Sequence, residues 1–172
     1  TLNGQDAFLV LGDDFGTGTA DYEGFLGTDL GEIQWTSGGG FGAIGADRTV
    51  SLNGGATLTF GDPFFISDSE TLGLQAGSEE STHTTTILNS LVLPTSGTGY
   101  NLRSENGLAS IDGVFSGVIS GDGGVDILGG GVLKLSNSSN SYTGATEVQQ
   151  GVLLADPLAA VPDLSQVDVL IG

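Results

Sequence analysis

The sequence has no cysteine and no methionine, and a single histidine and a single tryptophan. Without cysteine there is no disulfide staple, no thiolate nucleophile and no thiolate metal site. Cations are scarce as well: Arg48, Arg103 and Lys134 stand against 21 acidic residues, a formal net charge of −18. Three basic side chains cannot build a patch that neutralises phosphates, so nucleic acid is excluded as a partner. An anionic membrane surface is excluded on the same ground. No apolar run is long enough to cross a bilayer, so this segment is not expected to insert in a membrane. Runs of helix-favouring residues are missing too. The chain starts at Thr1 and shows no signal peptide, which reads as a processed product or a piece of something longer.

What is present is glycine, at 31 positions, enough to punctuate the whole chain with tight turns. Ser, Thr, Asn and Asp share those turns. Between them lie short apolar runs: 7–11, 31–35, 49–52, 56–60, 71–74, 84–88, 90–93, 113–119, 131–135, 146–148, 151–154 and 167–171. The runs 49–52 and 56–60, separated by Asn53-Gly54-Gly55, read as two strands around a turn. The 37–40 stretch, Ser-Gly-Gly-Gly, reads as the turn that closes the strand 31–35. The one candidate helical turn is 156–160, closed by Pro162. Such spacing suits a β-sandwich or a β-solenoid. Gly-rich corners and the lack of long hairpin strands favour stacked coils, in which each rung pairs its backbone with the rungs above and below. At roughly 20 residues per coil the chain makes on the order of eight rungs, a rod about 40 Å long. Val10, Ile33, Leu52, Leu58, Leu74, Leu93, Ile119, Leu133, Leu135, Val148 and Leu153 are the expected core.

The C-terminal half carries a specific pattern. Ser116-Gly-Val-Ile-Ser-Gly121 leads to Gly129-Gly-Gly-Val-Leu-Lys-Leu-Ser136, then to Asn140-Ser-Tyr-Thr-Gly-Ala-Thr-Glu-Val-Gln-Gln-Gly-Val-Leu153. Over residues 113–154 this resembles the autotransporter-associated β-strand repeat, also called the passenger-associated transport repeat. Ile127 stands where that family often has Lys. Residues 35–47 are loosely similar to a Gly-Gly-Phe stretch that precedes such repeats. The resemblance implies a right-handed parallel β-helix displayed on, or released from, a bacterial surface, with no catalytic residues in the repeat itself. The whole chain, 1–172, is then one solenoid unit, with 1–112 as less regular coils. From the residues themselves, the glycines of the motif mark sharp corners, and Tyr142 is expected to bury its ring and keep its hydroxyl wet.

Chemistry is harder to find. Asp13/Asp14 and Glu79/Glu80 are neighbours in sequence, and neighbouring strand residues face opposite ways, so each pair reads as solvated turn charge. His83 has no second His or Cys near it and reads as a loop residue. Calcium is the one cofactor worth weighing. Asp13, Asp14 and Asp21 offer hard oxygen ligands in a turn-rich segment. Asp122 and Asp126 lie in a single near-copy of a calcium-binding nonapeptide, which works only in consecutive copies. No other cofactor is expected. An adhesive or structural surface segment is therefore the leading reading and an enzyme is not expected. A carbohydrate-active or carbohydrate-binding β-helix is the alternative, disfavoured by one Trp and three Tyr, too few for a sugar platform. The two ends suggest self-association. Joined, 167–172 and 1–5 read on as one repeat, so Leu2, Phe8, Val10, Val167, Val169 and Ile171 are expected at a head-to-tail junction, in a tandem array or between copies.

Overall fold

A computed structural model describes residues 7–12, 22–74, 81–163 and 167–169. The N-terminal strands are Ala7–Leu11 (β1), Tyr22–Gly24 (β2), Gly39–Ala43 (β3), Arg48–Leu52 (β4), Leu58–Thr59 (β5) and Thr71–Leu74 (β6). Thr85–Ile87 (β7), Leu91–Leu93 (β8), Gly99–Ser104 (β9), Gly113–Phe115 (β10) and Ile119–Gly121 (β11) follow. The last are Gly124–Leu128 (β12), Val132–Leu135 (β13), Thr146–Val148 (β14), Val152–Ala155 (β15) and Val167–Val169 (β16). They form three sheets, ordered β1-β3-β6-β9-β12-β14-β16, β2-β4-β7-β10-β13-β15 and β5-β8-β11. Every ladder among the described residues is parallel. From β3 to β12 successive strands visit the sheets in rotation, so the chain winds a three-sided parallel β-helix, and the sandwich alternative is excluded.

This order corrects three readings. The 49–52 and 56–60 runs are not partners around a hairpin: β4 and β5 lie in different sheets, and Asn53–Gly55 is a 3-10 corner between them. The apolar stretch 113–119 is two strands, because the chain turns a corner at Gly117, where a Cβ would lie 2.1 Å from the Asn89 carbonyl oxygen. The glycines at 39–42 are strand rather than turn. Phe41 points inward and is fully buried, while Gly40 and Gly42 occupy the outer face of β3. A Cβ on Gly40 would clash with the backbone of Gly73 on the next rung. Glycine here permits close approach of backbone.

The coils are not uniform. In the first sheet Leu9 pairs with Phe41 and Phe41 with Leu74, whereas Ile127 pairs with Val148 and Val148 with Val169. The partner numbers show that a coil at the N-terminal end uses far more chain than one at the C-terminal end. The short coil expected throughout thus holds for the C-terminal end alone, and the longest sheet has seven rungs rather than eight. At about 4.8 Å per rung those strands span about 29 Å. Loops at the corners, such as 61–70 and 105–112, absorb the extra length of the earlier coils. Their interior is also filled differently. Trp35, Phe41, Phe60, Phe65 and Tyr100 form a buried aromatic cluster, with Trp35 edge-on to Phe41 at 5.6 Å and to Phe65 at 5.9 Å. Short C-terminal coils close around Ile127, Leu133, Leu135 and Val148 instead.

Stacking places like on like. Leu72, Leu102, Ile127 and Val148 form one inward column. Val50, Ile87, Phe115 and Leu135 form a second, and Leu58, Leu91 and Ile119 a third. All of these are buried, and each fully buried aliphatic side chain contributes roughly 1.5–3 kcal/mol. Val10 departs from expectation: it is 47% exposed. Strand alternation turns Leu9 and Leu11 inward and Val10 out, so the period was right and its phase was off by one position. Leu153 packs against the core half-buried rather than within it.

Candidate functional site

Three regions were candidates for function: acidic turns, the lateral faces and the two ends of the stack. Asp13, Asp14, Asp21, Leu2 and Ile171 lie outside the described residues, as does the Glu79/Glu80 pair. For Val167 and Val169 the backbone alone is described: β16 adds the last strand of the first sheet, with Val167 opposite Thr146 and Val169 opposite Val148.

Asp122 sits exposed in the turn between β11 and β12, and Asp126 on β12 itself. The structure aligns Asp126 with a residue that the motif reading missed. Asn101, Asp126, Glu147 and Asp168 occupy one register column on β9, β12, β14 and β16. Parallel in-register stacking brings like charges to adjacent rungs, a costly arrangement. Burial, and then the charge of Glu147, push the Asp126 carboxyl above the usual carboxylate range. The carboxylate has room because residue 99 is glycine: a Cβ there would lie 2.1 Å from Asp126 Oδ2. Asp126 and Glu147 form one wall of a shallow depression of about 150 Å³, with Gly97, Thr98, Gly99, Gly124, Gly144 and Ala145 as the rest. No aromatic and no basic side chain lines it. Among the described residues no three acidic or histidine side chains converge as a metal cage would require.

His83 faces Asp47, with Nδ1 3.7 Å from the carboxylate, and its Nε2 lies 3.3 Å from Thr82 Oγ1. The Asp47 Oδ1 atom also accepts the Thr84 N–H at 2.9 Å, so this carboxylate ties the 81–84 segment to the preceding coil. Lys134 is bound to Asp156 at 2.8 Å, and Arg103 to Glu105. Lys134 and Arg103 are therefore engaged by neighbouring acids, and Arg48 is buried.

The ends differ from the middle. Among the described residues, the large exposed apolar side chains Val10, Phe25, Leu30, Ile44 and Phe64 belong to the first two coils and Val152 and Leu158 to the last, with Leu108 between them. Phe8 is half-buried, and its ring lies over Gly73, where an added Cβ would meet Cζ at 2.5 Å. Of the expected junction residues with described side chains, Val10 is the more exposed.

One structural device left no clear sequence signal. At the corner between the second and third sides, Asn89 accepts the Leu52 N–H at 2.7 Å and donates to the Leu52 and Ala56 carbonyls at 2.8 and 2.7 Å. Asn140 accepts the Ile119 N–H at 2.8 Å and donates to the Ala160 carbonyl at 2.7 Å, bridging three rungs. Asn53 caps the Leu26 N–H in the same manner at 2.8 Å. Corner backbone groups that no sheet can pair are satisfied by these amides. The recurrence of Asn after an apolar strand was the available signal.

Comparison with known proteins agrees with the resemblance read from the motif. Residues 128–155 match the family model described as the passenger-associated-transport-repeat. No curated protein and no solved structure matches the chain. The matched segment runs from the end of β12 through β15, and several of its residues have a definable role in the coil. Gly129 and Gly151 turn successive corners at φ +84° and +79° and are stacked so closely that a Cβ on Gly151 would lie 2.4 Å from the Gly129 carbonyl oxygen. Leu133, Leu135 and Val148 point inward, and Asn140 is the corner amide. Tyr142 differs from expectation. Its hydroxyl is not wet but buried and bonded to Thr146 Oγ1 at 2.7 Å. Burial raises its pKa, and the Thr146 hydrogen bond opposes that rise.

Proposed function

We propose that this chain is a structural segment of a bacterial passenger protein, secreted or displayed at the cell surface, and that it serves as a stalk, spacer or adhesive rod. The observation that carries the reading is the uninterrupted in-register stack of three parallel sheets, closing on a passenger-associated repeat. Such a stack transmits length and stiffness, and its outward strand positions mix polar and charged side chains, such as Thr86, Ser120 and Lys134, with apolar ones such as Val92 and Val114. Two described depressions lie beside carboxylate pairs, one at Asp126 and Glu147 and one at Asp29 and Glu32, and neither is lined by the aromatics or the base that sugar chemistry needs. The test is to treat intact cells with a non-permeant protease and probe for this segment. Loss of the segment with cells intact is expected; full protection would overturn the reading. Turnover of a glycan that is lost in Asp126→Asn or Glu147→Gln would favour the carbohydrate-active alternative instead.

The same reading names the partner as further coils of the same kind, stacked on the end rungs either in the same polypeptide or from another copy. The exposed apolar side chains of the first and last coils support it, and a parallel edge accepts a parallel strand. Val10→Lys places a charge on the outer face of β1 and should shift sedimentation of the chain toward the monomer. Identical sedimentation of wild type and variant across concentration would remove this part of the proposal.

A further inference from the structure

Asn137-Ser138-Ser139 is an Asn-x-Ser acceptor sequence for N-glycosylation, with no proline at the middle position. It lies in the turn after β13, at the corner leading to the third side, and Ser138 and Ser139 are both exposed. The other asparagines of the chain do not have Ser or Thr two residues on. Asn137 itself is half-buried, and its amide is held in a defined place. Asn137 Oδ1 accepts the backbone N–H of Ser139 at 3.0 Å, closing an Asx-turn across the acceptor triplet. Its Nδ2 donates to the Ser116 carbonyl on the preceding coil at 2.9 Å. Those two bonds fix which end of the amide is nitrogen and hold it at the corner.

We propose that Asn137 is an N-glycosylation site whose reactive turn is built into the coil. The donor would be a sugar activated as an anomeric phosphate ester, carried on a nucleotide or on a lipid. In the transfer the Asn137 amide nitrogen forms a bond to the anomeric carbon. The bond from that carbon to the phosphate oxygen breaks, its electron pair leaves with the phosphate, and the nitrogen gives up one proton to a base of the transferase. The product amide keeps one N–H, so the bond to Ser116 can survive modification. Ser138 and Ser139 face solvent, and the glycan would project from a corner without entering a rung. Modification at this corner is independent of the stalk role.

The experiment is mass spectrometry of the protein isolated from the cells that make it, on the peptide containing Asn137, beside Asn137→Gln and Ser139→Ala made in the same cells. A sugar on Asn137 in wild type and its loss in both variants is the expected result. A single hexose points to a nucleotide-linked donor, and an oligosaccharide to a lipid-linked one. Ser139→Ala leaves the Asn137 side chain and its bond to Ser116 in place, and circular dichroism of each variant separates loss of modification from loss of fold. An unmodified Asn137 in wild type, or sugar found on Ser138 or Ser139 instead, would overturn the proposal.

Discussion

Asparagine 140 holds three rungs through one amide, and its removal shows what a corner costs. Asn140→Ala leaves the Ile119 N–H and the Ala160 carbonyl without their partner. Each buried polar group stranded in this way costs about 1–3 kcal/mol. Urea denaturation of Asn140→Ala should show a lowered midpoint with little change in slope. Asn140→Asp should be destabilised as well, because a carboxylate cannot donate to Ala160. Tyr142→Phe is a milder case at about 1 kcal/mol, since it deprives Thr146 of one partner and keeps the ring in the core. Asp126 gives the residue scale its pH dependence. Its folded-state pKa is raised, by burial first and Glu147 second. Between the unfolded and folded values the folded chain therefore binds more protons than the unfolded one. This group favours the fold least above its folded pKa, and the penalty is relieved as pH falls through that value. Asp126→Asn should then raise the melting temperature at neutral pH, and the difference from wild type should shrink on acidification. A constant difference across pH would contradict the assignment.

Among the elements, corners decide more than strands. The strands are short, from the two residues of β5 to the six of β9, and their pairing partners come from neighbouring coils. A strand therefore moves only if a corner does. Gly129 is the sharpest test. Its φ of +84° disfavours any side chain, and a Cβ would lie 2.2 Å from the Ser104 carbonyl oxygen. Left-handed strain alone costs on the order of 1–3 kcal/mol. Gly129→Ala should lower the thermal midpoint by more than Gly130→Ala, whose nearest neighbour is Asn106 Cβ at 3.6 Å. The passenger-associated segment was legible because its corners and inward positions recur at set spacing in one motif. β3 was not, because a strand written Gly-Gly-Phe-Gly-Ala looks like a turn until Gly73 is known to press against it. β9 and β12 were likewise hidden, the first by the polar Asn101 and Arg103 within it and the second by the turn-like Gly121-Asp122-Gly123 before it.

At the scale of the molecule, stability follows from neighbour-to-neighbour stacking, and charge sets how the rod behaves in solution. A net charge of −18 spread along the stack repels itself, and the Asp126–Glu147 pair on adjacent rungs concentrates that repulsion near the C-terminal coils. Screening shortens such repulsion to about 3 Å at molar ionic strength. Melting should therefore rise between low and molar sodium chloride, and hydrogen exchange should slow most in β14 and β15; a salt-independent melt would contradict it.

Composition by itself determined a great deal about this protein. Glycine at short intervals with alternating apolar runs demanded short strands and tight corners. The motif over 113–154 pointed to stacked parallel coils. These follow from local chemistry, which a sequence carries directly. Tertiary structure decided the rest: that coils lengthen toward the N-terminus, that Val10 faces out, that Tyr142 is dry, and that Asp126 stands beside Glu147. Each depends on which residue lies one rung away. In a solenoid that neighbour is a full coil distant along the chain, and corner loops of varying length set where it falls.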